Sequence, residues 1–266
     1  MAALGEHVFG KVPAAHHREG IEERLVNKRV ATVAPPQSAK TTWTEIIDAW
    51  WIGKHPETSN GIGSATDGGA MKMAQAIVAC IENNPRWAEV FPDVVPDKDR
   101  GWSREGWWVK DRRVEPGEWA RRMAARKDPT LIAGGVGASI WAGVRITGRL
   151  SLDDIHDRES KTSQAVCDNT VGFVKDTALS RVTAEAYLDI EQTRWNAKDV
   201  IAYVKTLAHF KVFEHPAWTV VEGERVSYWP GEWSVENLED KRQEVGSQDF
   251  ELQYLGNAEV LKGKIL

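Results

Sequence analysis

A run of apolar and β-branched residues, Arg29-Val-Ala-Thr-Val33, stops at two prolines and resumes as a helix from Thr41. That succession limits the fold more than any other feature, because a strand feeding a helix through a short turn starts a βαβ unit. The turn, Ala34-Pro-Pro-Gln-Ser-Ala39-Lys40-Thr41, has the eight-residue frame of a phosphate-binding loop. In such a loop, successive backbone N–H groups and a helix N-terminus surround phosphate, a lysine reaches it and a hydroxyl binds Mg²⁺. Both usual glycines are missing. If Ala39 must adopt a left-handed conformation, the cost is about 1–2 kcal/mol. On this segment alone, a proline-bearing turn followed by a helix with an exposed lysine is the favoured reading.

The remaining chain keeps alternating. Helical spacing covers 13–26, Thr41 to Trp51, 69–83 (with Asp67 as cap), 118–126, 165–176, 197–206, 236–245 and 250–255. Strand patterns cover 29–33, 61–65, 107–110, 131–133, 140–144, 149–153 and 184–193, with 131–144 read as a hairpin through Gly134, Gly135 and Gly137. An irregular region rich in Pro, Asp and Trp fills 84–106. The expectation is an α/β fold with a mainly parallel sheet and no linker long enough to separate two domains.

Composition narrows the function classes. A net charge of −5 argues against a generally basic nucleic-acid coat, though not against a local basic patch. Thirteen tryptophans, spread from Trp43 to Trp233, read as scattered anchors rather than one aromatic platform. Cys80 and Cys167 are far apart and lack metal-ligand spacing, which suggests structural thiols in a reducing compartment. The longest uncharged stretch, Pro129 to Val144, is shorter than the about 20 residues a membrane-spanning helix needs. The N-terminus carries no apolar signal core.

Two further segments belong to the same sheet edge. Leu150-Ser-Leu-Asp153-Asp154 is a strand ending in adjacent acids, the arrangement that organises Mg²⁺ and water in nucleotide hydrolysis; a solvated turn and cap is the alternative. Glu191-Gln-Thr193-Arg194-Trp195-Asn196 brings a hydroxyl to the end of another strand. Open parallel sheets bind ligands beyond the carboxyl ends of their strands, so Thr193, both aspartates and the loop should converge.

In this order, the segments resemble the ATPase domain of the large terminase subunit of tailed bacteriophages, across nearly the whole chain. HHREGIEERLVNKRVATVAPPQSAKTTW, GSATDGGAMKMAQAIVACIENNPRWAEVFPD, GVRITGRLSLDDIHD, TRWNAKD and WPGEWSVENLEDKRQEVGSQDFELQY carry the likeness. It implies an ASCE-type P-loop NTPase: an opening helical region (1–28), a nucleotide-binding core (29–210), a closing lid segment (211–255) and a tail (256–266) leading to a nuclease domain that is missing here or is a separate chain. It also implies ATP and Mg²⁺ as cofactors. The loop residues Pro35, Pro36, Gln37, Ser38, Ala39, Lys40, Thr41 and Thr42 would bind nucleotide, and Lys40 would contact the β/γ-phosphates. Thr41 and Asp153 would hold Mg²⁺, Asp154 would orient or deprotonate the attacking water, and Thr193 would sense the γ-phosphate.

Family members act as rings in which an arginine reaches a neighbour's ATP; Arg145 is the first candidate here and Arg149 the second. The implied activity is ATP hydrolysis that packages double-stranded DNA into a prohead. Its implied partners are a portal protein, a small terminase subunit and further copies in a ring expected to be pentameric. The implied setting is the host cytoplasm and, transiently, the portal vertex, with no membrane. The chain departs from the family at Gln37, often Arg; at Ala39, usually Gly; and at Asp154, often Glu. A nucleotide-binding scaffold with little hydrolysis, or a helicase-type P-loop ATPase, remains open. The basic stretch Arg121, Arg122, Arg126 and Lys127 is a candidate DNA contact, with a solvated helix face or a ring interface as its alternatives. His16 and His17 are expected on the opening helix, one exposed and one packed, without chemistry.

Overall fold

The computed structural model describes residues 1–264; Ile265 and Leu266, the end of the expected 256–266 tail, lie outside the described residues. Twelve strands occur among them. β1 (Arg29–Val33), β2 (Asn60–Ser64), β3 (Val94–Pro96), β4 (Trp102–Ser103), β5 (Gly106–Trp107) and β6 (Val109–Asp111) precede β7 (Leu131–Gly135), β8 (Arg149–Asp153) and β9 (Tyr187–Gln192). β10 (Lys211–Glu214), β11 (Trp218–Val221) and β12 (Glu224–Ser227) follow. Eight form the central sheet in the order β10-β1-β9-β8-β2-β7-β5-β4. The six from β10 to β7 run parallel, and β5 and β4 continue antiparallel. This is the mainly parallel α/β sheet that the alternation predicts.

The period of two along each strand divides the sheet into two unlike faces. Leu150, Leu152, Leu188 and Ile190 point into one apolar core, together with Phe173, Val174, Val200 and Ile201 from the covering helices. The odd-numbered neighbours Arg149, Ser151, Asp153, Asp189 and Glu191 face the other way, towards helices Lys40–Lys54 and Ala15–Val26. There Ser151 and Arg149 reach Asp48, and Asp153 reaches Thr41. That second face continues into a core of Ile46, Ile47, Ile52, Ile77 and Ile81.

Several elements differ from expectation. The segment 140–144 is not a hairpin strand: Ser139–Trp141 forms a 3₁₀ turn, and β7 pairs in parallel with β2. Trp141 is buried, and its indole N–H donates to the Gly135 carbonyl at 2.9 Å, which folds the segment back over the strand end. Thr66, not Asp67, caps helix Asp67–Asn83; Asp67 instead accepts the Gly135 N–H at 2.7 Å. The expected strand 107–110 divides between two sheets. β10 escapes the pattern because KVFE is a half-exposed edge strand with charged ends. The β11–β12 hairpin turns on Glu222 and Gly223, both at positive φ, as a two-residue turn of the favoured hand requires. It packs, through Trp218, on a small core of Leu238, Phe250 and Tyr254.

Candidate active site

Register brings the site together. Val33 pairs with Gln192 and Asp153 with Glu191, so Ala34, Thr193 and Asp154 leave three adjacent strands at one level. The loop between β1 and helix Lys40–Lys54 has Gln37 at φ 62° and Ala39 at φ 60°. Two left-handed residues without glycine cost about 1–2 kcal/mol each, and Asp154 adds a third at φ 42°. Backbone strain of this kind persists where the surroundings over-determine it, most often at functional sites.

Lys40, 7% exposed at its side chain, is the hub. Its ammonium donates to Thr193 Oγ1 at 3.0 Å and pairs with Asp154 Oδ2 at 3.0 Å. Thr193 Oγ1 in turn donates to the Ala34 carbonyl at 3.3 Å, and its backbone N–H donates to Asp154 Oδ1 at 2.9 Å. Thr41 Oγ1 donates to Asp153 Oδ2 at 2.7 Å. Asp153 Oδ1 is buried without a hydrogen-bond partner. Burial, and then the charge of adjacent Asp154, push the Asp153 carboxyl up to about 7, against the pull of Lys40 and Thr41. A buried carboxyl with a spare oxygen beside a hydroxyl suits a divalent cation, whose charge would relieve it. No cluster of three or more His, Cys, Asp or Glu able to hold a metal occurs among the described residues. A cation here would therefore rely on Thr41, Asp153, water and phosphate oxygens, as Mg²⁺ commonly does.

Gln192 and His156 brace the acids from behind. The Gln192 amide donates to the Thr193 carbonyl at 2.8 Å and accepts the His156 N–H at 3.2 Å. His156 Nε2 accepts the Val200 N–H at 3.0 Å, so Nδ1 carries the proton and donates to Ser160 Oγ. Burial lowers the pKa of this ring and keeps it neutral. Arg194 pairs with buried Asp199 at 2.8 Å and serves the fold, whereas its neighbour Trp195 lines the cleft. The cleft, of about 480 Å³, is bounded by Pro36, Gln37, Ser38, Ala39, Lys40 and Thr41 on one side and by Asp154, His156, Asp157, Thr193 and Trp195 on the other.

Other expected positions fall elsewhere. Pro35 is buried under the loop, and Thr42 sits on the first helical turn; neither lines the cleft. Arg149 is 1% exposed at the amino end of β8, with its guanidinium held by Asp48 and Asp189. The expectation that it reaches a neighbouring subunit is therefore corrected: the strand's alternation turns it inward. Arg145 is exposed near that same amino edge, and its backbone N–H donates to Asp128. Arg126 bends under the protein to the carbonyls of Thr58 and Asp128, leaving Arg121, Arg122 and Lys127 exposed in the basic stretch. His16 and His17 are both buried, contrary to the expectation of one exposed ring. His17 touches the loop, a contact between positions 21 apart in sequence that no local pattern signals.

No protein-family model and no curated protein matches the chain. Solved structures do. A mutant of the Thermus phage P74-26 large terminase ATPase domain superposes with a TM-score of 0.63 at 17% identity, covering 97% of this chain and 98% of that one. Another structure of that phage domain gives 0.57 at 16% identity, covering 97% of each chain. The HK97 bacteriophage large terminase gives 0.56 at 12% identity, covering 97% of this chain and 54% of its own. From one end of the sheet to the other, this chain has the fold of a phage large-terminase ATPase domain.

Proposed function

We propose that the protein binds ATP with Mg²⁺ in the cleft, hydrolyses it, and uses the energy to package double-stranded DNA. The observation that carries this reading is the Lys40–Thr193–Asp154 triangle beside Thr41 and Asp153. It joins a phosphate-directed cation, a cation-binding pair and a carboxylate open to water, on three adjacent strand ends. Lys40 would turn from Asp154 to the β/γ-phosphates. With Lys40 turned away, Asp154, its side chain 38% exposed, would accept a proton from a water aligned on the γ-phosphorus. Thr193, linked to both Lys40 and Asp154, would register the γ-phosphate and pass the change through Arg194–Asp199 to the following helix. A bound Mg²⁺ would neutralise charge developing on the phosphate oxygens.

The surrounding assembly belongs to the same proposal: a ring of copies, pentameric by the family likeness, with the portal protein, the small terminase subunit and DNA. It would work in the host cytoplasm and transiently at the portal vertex. Arg145 is the candidate to reach a neighbour's phosphates. No helix among the described residues is long and apolar enough to cross a membrane. A second reading, nucleotide binding with little turnover, is favoured by one observation: Lys40 and Asp154 hold each other at 3.0 Å, so the ammonium covers the carboxylate oxygen that water would use.

Mg²⁺-dependent phosphate release by the wild type, Lys40→Ala and Asp154→Asn decides between them. Hydrolysis predicts loss of about 100-fold or more in both variants. Wild-type release no greater than that of the variants would leave only the binding role.

A further inference from the structure

The loop is held from behind by a residue of helix Ala15–Val26. His17 Nε2 lies 2.7 Å from the carbonyl oxygen of Ser38, the residue between left-handed Gln37 and Ala39. Its other nitrogen, Nδ1, accepts the Ala14 N–H at 3.0 Å, at the start of helix Ala15–Val26. A ring nitrogen that accepts carries no proton, so Nε2 carries it and donates to Ser38. The ring is fixed in place, with its centroid 5.6 Å from that of Trp43 and 5.0 Å from that of Trp229. Burial disfavours its charged form, which protects this tautomer.

Ser38 is the wall between two spaces. It lines the cleft and also a small chamber of about 30 Å³ behind the loop, where His17 lies. In a planar trans peptide, the carbonyl and the following N–H point in opposite directions. Pinning the Ser38 carbonyl towards His17 therefore turns the Ala39 N–H of the same peptide away from the chamber, towards the cleft. Glycine-bearing loops reach this orientation without steric cost, whereas Ala39 does not.

We propose that His17 is a positioning residue of the phosphate-binding loop, holding the Ser38–Ala39 peptide in the orientation that offers its N–H to phosphate. The proposal rests on the phosphate-binding reading of the cleft. Its structural half, the held peptide, is measurable without any nucleotide.

The test compares His17→Phe, which keeps an aromatic ring but removes the donor, with His17→Gln, whose amide nitrogen has the reach of Nε2. Each is also combined with Ala39→Gly. Hydrogen exchange of peptides spanning 34–41 is followed by mass spectrometry, and Mg²⁺-ATPγS affinity is measured by titration. His17→Phe should speed exchange in the loop and weaken binding about tenfold, the effect of one lost hydrogen bond to a preorganised site. His17→Gln should recover most of both, and Ala39→Gly should recover most of the His17→Phe loss. Equal behaviour of the Phe and Gln variants, or no recovery with glycine, would overturn the proposal. If the wild type binds no Mg²⁺-ATPγS, the phosphate reading fails and the role in phosphate binding falls with it. Loop exchange then judges the held peptide separately.

Discussion

Ala39 shows how far a single residue can depart from its motif while the geometry persists. Glycine removes the steric penalty of the left-handed region, but it does not set the direction of the peptide. Here the direction is supplied by a bond from His17, and the spacing of Lys40 and Thr41 behind the loop is unchanged. That spacing, with the Asp153-Asp154 pair, was readable in the sequence because each depends on neighbours along the chain. His17 was not readable, since its meaning lies in a contact made after folding. His16 beside it offers a titration test. Burial, then the neighbouring His17 and His215, lower its pKa from 6.5 to about 4 in the folded protein. A depressed histidine contributes fully above the unfolded value, and the contribution is lost as pH falls through 6.5 towards 4. Between pH 7.5 and 5.5 the wild type should therefore lose about 1 kcal/mol of stability beyond any loss in His16→Leu. Urea unfolding at both pH values measures the difference; parallel behaviour would show that His16 is not held neutral.

At the scale of elements, β8 and β9 each combine an apolar face with a charged one. On the charged face Arg24 pairs with Asp189 and Glu191, both at 3.3 Å, while Arg149 pairs with Asp48 and Asp189. This network ties the opening helix, helix Lys40–Lys54 and two central strands together beneath the cleft. Alternation in RLSLD and YLDIEQ was visible in the sequence. Its inward direction was not, because a strand buried on both sides gives no sign of which face meets which helix. That is why Arg149 looked available for a neighbour. Arg149→Met should destabilise the protein by about 3–5 kcal/mol by leaving buried Asp48 without its paired cation and Asp189 with Arg24 alone. Urea denaturation of the isolated chain measures this. A variant of unchanged stability would show that the network is not structural.

On the scale of the whole molecule, the parallel order β10-β1-β9-β8-β2-β7 places Lys40, Thr41, Asp153, Asp154 and Thr193 at one edge and leaves Arg145 and Arg149 near the other. The parallel character of the sheet was legible because strands and helices alternate regularly; the strand order was not, because it depends on crossovers between distant segments. The β11–β12 hairpin and edge strand β10 were not, because exposed strands lack a strong apolar pattern. The proposed completion of the site by a neighbouring copy would imply complementation. Asp154→Asn, which keeps Arg145, and Arg145→Ala, which keeps its own acids, should together hydrolyse ATP faster than the sum of their separate rates, since an arginine in trans contributes about 10³-fold or more. Simple additivity in a phosphate-release assay would place the arginine elsewhere.

Whether a loop without glycine grips phosphate is decided by calorimetric titration of Mg²⁺-ATPγS into the wild type and Lys40→Ala. Saturable, Mg²⁺-dependent binding is expected at one site per chain in the wild type, weaker by about tenfold or more without the lysine, as loss of a charge-assisted contact implies. Equal affinities, or no binding by either, would mean that the loop is not a phosphate site.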